Sequence, residues 1–248
     1  MDARLALSLL LFFTTSALGF DHGRWDALLK KNVVVLEGGK ASQFRYGEVD
    51  RKGLQSYLKT LSGVSEKEFK GWSPEEQMAF LINAYNAFTI EKILTRYPDI
   101  RSIWDFGKVF GNPFKDEFFT LLGRKMSLDA IEHGTLRKSY REPRVHYALN
   151  CASVGCPMLR EEAYVASRLE RQLEEQAVRF LSDRSRNRWH GGRLEVSKIF
   201  DWYKEDFEPR QAYFARYAKL LGTPGGEVPL TFLDYDWSLN DSRSSSRR

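Results

Sequence analysis

Residues 73–98 read SPEEQMAFLINAYNAFTIEKILTRYP. Ser73 is placed to cap a helix, Pro74 suits the first helical position, where no N–H is needed, and Glu76 completes a capping box; Pro98 ends the run. This is the clearest helix of the chain, and it carries an oddity. Asn83 and Asn86 lie three apart, on one face, inside the apolar run AFLINAYNAF. A buried amide is costly unless bonded, so both require definite partners. Two uses are open: one amide orients a catalytic histidine, as in a Cys-His-Asn triad, or both tie down a neighbouring loop.

Outward from this helix, residues 53–61 read as a short helix. Residues 160–182 read as a longer amphipathic one, with Leu169, Leu173, Ala177 and Phe180 at helical spacing. Residues 210–221 form another helical pattern, stopped by Gly222 and Pro224. Strand signals lie between the helices. FFTLLGRKMSL (118–128) predicts a hairpin turning at Gly123-Arg124, RVHYALN a strand over 144–150, and RLEVSKIF a strand near 193–200. LTFLDYDWSLN (230–240) has an aromatic, extended pattern. The predicted fold is α+β: a mostly helical single domain around a small, mainly antiparallel sheet.

The first 19 residues, MDARLALSLLLFFTTSALG, combine a weakly basic start, a short apolar run and small residues, the pattern of a cleaved export signal. The run is too short to span a bilayer, which needs roughly 20 residues. A short N-terminal membrane anchor is the minor alternative. The expected product is an exported, periplasmic or extracellular domain over residues 20–240, with no transmembrane span in the mature chain, and a disordered basic tail over 241–248. Of the net charge of +5, residues 240–248 contribute +2 through three arginines and one aspartate. The body at +3 has no basic cluster interleaved with aromatics, so nucleic acid is not an expected partner.

The only two cysteines, Cys151 and Cys156, fall in HYALNCASVGCP (146–157), beside His146. Cys151 opens a loop of small residues, Ala152 to Gly155, whose backbone N–H groups are free to approach a substrate closely. A thiol so placed suits a nucleophile with an oxyanion hole, or a buried small hydrophobe. On a straight strand His146 and Cys151, five apart, face opposite ways, which makes His146 a poor base. His133, in SLDAIEHGTLR (127–137), is the better candidate: Asp129 lies four residues before it, on the same helical face, and can orient its imidazole. Its neighbour Glu132 points about 100° away and is left to bind substrate or to meet Arg137 or Arg144. Asn150 is a further supporting candidate.

Two other uses of the thiols compete. His133, His146, Cys151 and Cys156 supply the two nitrogens and two sulfurs of a tetrahedral zinc site, although C-x4-C is not the usual spacing. Export allows a Cys151–Cys156 disulfide, which closes only a small loop and, if it forms constitutively, rules out Cys151 as a nucleophile.

INAYNAFTI (82–90), SLDAIEHGTLR (127–137), PRVHYALNCASVGCPMLR (143–160) and LDYDWSLN (233–240) together resemble the domain of unknown function 547 family, over about residues 25–240. The resemblance implies one domain, shared by exported bacterial and intracellular eukaryotic proteins, with no assigned activity. It marks Cys151 above Cys156, includes Glu132, His133 and His146, and weakens any compulsory disulfide or zinc site. The expected function is a cysteine-dependent hydrolase or acyltransferase acting on an amide or thioester-like bond of a small-molecule or peptide-like substrate. In it Cys151 is nucleophile, His133 base, and no cofactor is needed. A non-catalytic cell-envelope binding or structural module is the alternative, and a zinc-binding domain a further one.

Overall fold

Helix Pro74–Leu94 is buried around its whole circumference from Ala79 onward, except at Glu91, and the remaining elements wrap it. The computed structural model describes residues 19–107 and 111–243, so all but the last residue of the segment 1–19 expected as an export signal, and 244–248 of the expected tail, lie outside the described residues. In chain order come α1 (Gly23–Asn32), the hairpin β1 (Val33–Leu36) and β2 (Ala41–Phe44), α2 (Arg51–Gly63), α3 (Glu66–Lys70) and α4 (Pro74–Leu94). A second hairpin, β3 (Phe119–Leu121) and β4 (Arg124–Met126), precedes α5 (Leu128–Ile131), a π-helical turn Glu132–Leu136, α6 (Arg137–Ser139) and α7 (Val145–Ala148). The chain closes with α8 (Leu169–Leu181), β5 (Arg188–His190), β6 (Arg193–Val196), α9 (Ile199–Trp202), α10 (Arg210–Arg216), α11 (Ala218–Leu221) and β7 (Leu230–Phe232).

The mostly helical α+β architecture is as predicted, but the sheet is three small sheets. Two are hairpins, and the third has order β5-β6-β7 with an antiparallel and a parallel pairing. Ser73 caps α4 through the Glu76 N–H, as expected. Glu76 does not complete the box: its carboxylate accepts the Phe20 N–H at 2.7 Å and fastens the start of the described chain to the core. The hairpin turns at Leu122-Gly123, one residue early, with both residues at positive φ. α8 begins at Leu169 rather than 160, because Glu162, Ala163 and Val165 are held by side chains that suit an irregular backbone. Asp241 is buried and pairs with Phe44, so the packed chain runs past 240 into the segment expected as tail.

The strand predicted over 144–150 is a correction. Residues Val145–Ala148 are helical, and this one turn sits at the seam of two apolar clusters. Val145 and Ala148 pack into the cluster around α4, whereas Tyr147 packs with Phe180, Phe200, Phe207 and Phe214. An apolar run needed on several sides is met by a helical turn, because a strand offers only two faces. Arg144 anchors the turn through bonds to Glu142, Glu170 and Glu174, the last two from α8.

Candidate active site

α7 places His146 against Phe207 and Tyr203 at the wall of a cavity of about 460 Å³. Its walls include Asp129, Glu132, His133, His146, Cys151 and Cys156, faced by Tyr203, Tyr235 and the three tryptophans Trp104, Trp202 and Trp237. Glu132 and His133 open the π-helical turn after α5, a local widening common at functional sites. With α7 helical, strand parity no longer separates His146 from Cys151, and both reach one pocket.

His146 is buried between two carboxylates. Its Nε2 lies 2.6 Å from Asp206 Oδ2 and its Nδ1 3.6 Å from Glu132 Oε1. Burial opposes its charge, but Asp206 and Glu132 outweigh burial and raise its pKa. Burial likewise pushes Glu132 and Asp206 upward, and the bonds to His146 reverse that, so both carboxyls titrate below their ordinary range. Asp206 is also gripped by Arg137, with Nη2 3.0 Å from Oδ1. Arg137 Nη1 lies 2.7 Å from His133 Nδ1. A guanidinium only donates, so Nδ1 of His133 accepts and the neutral ring carries its proton on Nε2, which lies 3.9 Å from Asp129. Tyr203 lies against both imidazoles, its ring centroid 3.9 Å from that of His146. Burial, then the charge of Glu132, keeps the Tyr203 and Tyr85 phenols protonated.

On the opposite wall Cys151 and Cys156 form a disulfide. Cys151 is partly exposed, whereas Cys156 is buried. The loop between them is clamped to the C-terminal segment: Val154 N–H donates to Ser238 O, Gly155 N–H to Asp236 O, and Asn240 N–H to Ala152 O. From the sulfurs an aromatic wall runs outward, Tyr235 to Trp237 at 4.6 Å between centroids and Trp237 to Trp202 at 5.6 Å. Trp104 and Trp202 keep about two fifths of their surface exposed at the lip.

The expected site residues thus divide. Cys151, His133, Glu132, His146 and Asp129 share the pocket. Asn83, Asn86 and Asn150 work behind it. Asn83 exchanges two bonds with the Tyr164 backbone, and Asn86 joins Ala148 O to Asn150 N–H. Asn150 in turn accepts from Ala152 N–H and donates to Pro157 O, bracketing the disulfide loop. These amides tie down loops, and none orients a histidine. The two sulfurs of the alternative zinc set are bonded to each other, and among the described residues no group of three or more His, Cys, Asp or Glu is arranged to hold a metal ion.

Sequence reading missed Asp206, Tyr203, Tyr235 and Ser153. Tyr235, in the aromatic LDYDWSLN segment, and Ser153, in the small-residue loop after Cys151, lay in stretches already singled out; Asp206 is 60 residues from His146 and unmarked by any local pattern. The other two histidines lie outside the pocket: His190 is exposed, and His22 is buried with Nδ1 2.7 Å from Tyr57 OH.

Among known families, residues 69–181 match the one described as "Protein of unknown function, DUF547". Three of the four resembling segments fall within that match and the last, 233–240, lies beyond it. Neither the curated proteins nor the solved structures include a match to this chain.

Proposed function

We propose, for a chain whose residues 69–181 carry the domain of the DUF547 family, that the pocket is a cysteine-centred active site. Its chemistry is that of a hydrolase or acyltransferase working on an amide or thioester-like bond of a small-molecule or peptide-like substrate. One observation carries this reading: the partly exposed Cys151 sulfur shares a substrate-sized cavity with Glu132, His133 and His146. Acyl transfer belongs to the reduced pair, since a disulfide sulfur has no thiolate to offer. The Arg137 contact makes His133 a donor through Nε2, suited to polarising a carbonyl or protonating a leaving group. His146, whose pKa Asp206 and Glu132 raise against burial, lies beside this donor in the same cavity. An exported location rests on the N-terminal sequence alone, and a disulfide is compatible with it.

The test uses the full chain after reduction, offered aryl thioesters and anilides. The expected result is an acyl adduct on Cys151 by mass spectrometry and turnover lost in C151A. Absence of both adduct and turnover, or turnover unchanged in C151A, overturns it. The envelope-module reading is favoured by the complete pairing of Asn83, Asn86 and Asn150 as structural clamps. Its signature is saturable quenching of tryptophan emission by a ligand that is recovered unchanged.

A further inference from the structure

Cys156 Sγ has three donors gathered around it. The Cys151 backbone N–H lies at 2.9 Å, the Tyr235 hydroxyl at 3.2 Å and the Ser153 hydroxyl at 3.4 Å. A sulfur in a disulfide is a weak acceptor and makes poor use of three donors. A thiolate uses all of them, because hydrogen bonds to a charged acceptor are roughly twice as strong as neutral ones. The donors are also held in place before any charge forms. Asn150 Oδ1 fixes the Ala152 N–H, Asn240 N–H holds the Ala152 carbonyl, and Ala152 itself sits at a φ of +63°, which bends the loop so that the Cys151 N–H turns toward Cys156. Gly155 lets Tyr235 lie against the loop, since a Cβ there would come 2.9 Å from the Tyr235 ring and from Asp236 O. Burial keeps the Tyr235 phenol protonated and able to donate. The same hydroxyls lie 3.1 Å (Ser153) and 3.3 Å (Tyr235) from Cys151 Sγ, but the backbone N–H serves Cys156 alone.

We infer that the Cys151–Cys156 pair carries out thiol–disulfide exchange with a low-molecular-weight thiol, Cys151 being the sulfur attacked and Cys156 the leaving group. The inference is independent of the acyl-transfer reading. An incoming thiolate enters the pocket and attacks Cys151 Sγ, the more exposed of the two. A bond forms between the substrate sulfur and Cys151 while the Cys151–Cys156 bond breaks, and its electron pair leaves on Cys156, where the three donors receive it. A second substrate thiolate then attacks the substrate sulfur of the mixed disulfide and releases Cys151. Two substrate thiols are oxidised to one disulfide, the protein pair gains two electrons, and the two thiol protons end on Cys151 and Cys156. Leaving-group stabilisation of this kind accelerates exchange directly, because a lower thiol pKa makes a better leaving group. The aromatic wall and the cavity volume suit a small thiol with a flat apolar body.

The test starts from the oxidised full chain, with dithiothreitol and glutathione as probes and free thiol counted by maleimide mass shift. Y235F and S153A keep both cysteines and each is expected to slow reduction about 10-fold at fixed thiol concentration. In C156S, glutathione disulfide is expected to leave a mixed disulfide on Cys151 at least 10-fold faster than C151S leaves one on Cys156. Reduction rates in Y235F and S153A equal to wild type, faster trapping on Cys156, or resistance of the folded chain to dithiothreitol would each overturn the inference. Thioester turnover is scored separately on the reduced chain, so loss of either activity leaves the other measurable.

Discussion

His146 Nε2 and Asp206 Oδ2, 60 residues apart in the chain, lie 2.6 Å apart and join the π-helical turn, α7 and the 203–207 segment into one charged network. The three titrating groups give the network its pH dependence. His146 has a folded pKa above its unfolded value, so its contribution to stability is complete below about 6.5 and is lost as pH rises through the folded pKa. Asp206 and Glu132 have lowered pKa values; their contribution is present above roughly 4 and is lost as pH falls through their folded values. The network therefore stabilises most at about pH 4–6.5. D206N should lower the His146 pKa, read from its ring proton in an NMR titration, and cost roughly 1.5–3 kcal/mol at pH 6, the worth of a charge-assisted hydrogen bond. An unchanged His146 titration would show that the contact is not formed in solution.

His22 predicts the opposite slope. Burial lowers its pKa to about 4, so the folded state resists a proton that the unfolded chain accepts near 6.5. Its stabilising share is present above 6.5 and is lost as pH falls to about 4, a difference on the order of 3 kcal/mol. Urea unfolding of wild type and H22Q at pH 4.5 and 7.5 isolates it: the variant's stability should fall less on acidification. Equal acid sensitivity in the two proteins contradicts the prediction.

Asn86 bridges Ala148 O and Asn150 N–H within the core. N86A strands both groups, and at about 1–3 kcal/mol for each unsatisfied buried partner it should destabilise by roughly 2–6 kcal/mol. Chemical denaturation measures the loss, and hydrogen exchange at the Asn150 amide should quicken selectively. A loss below half a kcal/mol would mean that the loop does not depend on this clamp.

Gly155 packs where no side chain fits, its would-be Cβ 2.9 Å from Asp236 O. G155A should cost about 1–3 kcal/mol, as overpacking does. It should also shift the emission of Trp202 and Trp237, because Tyr235 packs against both. A variant with wild-type stability and wild-type emission would contradict the close approach.

How much of this was legible locally differs element by element. α4 was readable because its cap, first-turn proline and apolar run lie within a few residues of one another, and its amides announced partners without naming them. Cys151, Glu132, His133 and His146 stood out by residue type. The strand predicted at 144–150 failed because its apolar letters answer to two clusters and a pocket, a demand that arises only once α4, α8 and α9 are in place. That error moved His146 to the wrong side of Cys151 and hid its partner.

The sequence by itself determined the helical framework, the pairing requirement of Asn83 and Asn86, and the short list of residues able to do chemistry. Each is a matter of local backbone preference or of the cost of burying a polar group. Tertiary structure alone decided which of them meet. It set His146 between Glu132 and Asp206, turned His133 into a donor by placing Arg137 on its Nδ1, and brought Tyr235 from 79 residues away to the Cys156 sulfur. Contacts at such separations leave no spacing to read, because they are selected by how the two apolar clusters pack across α7.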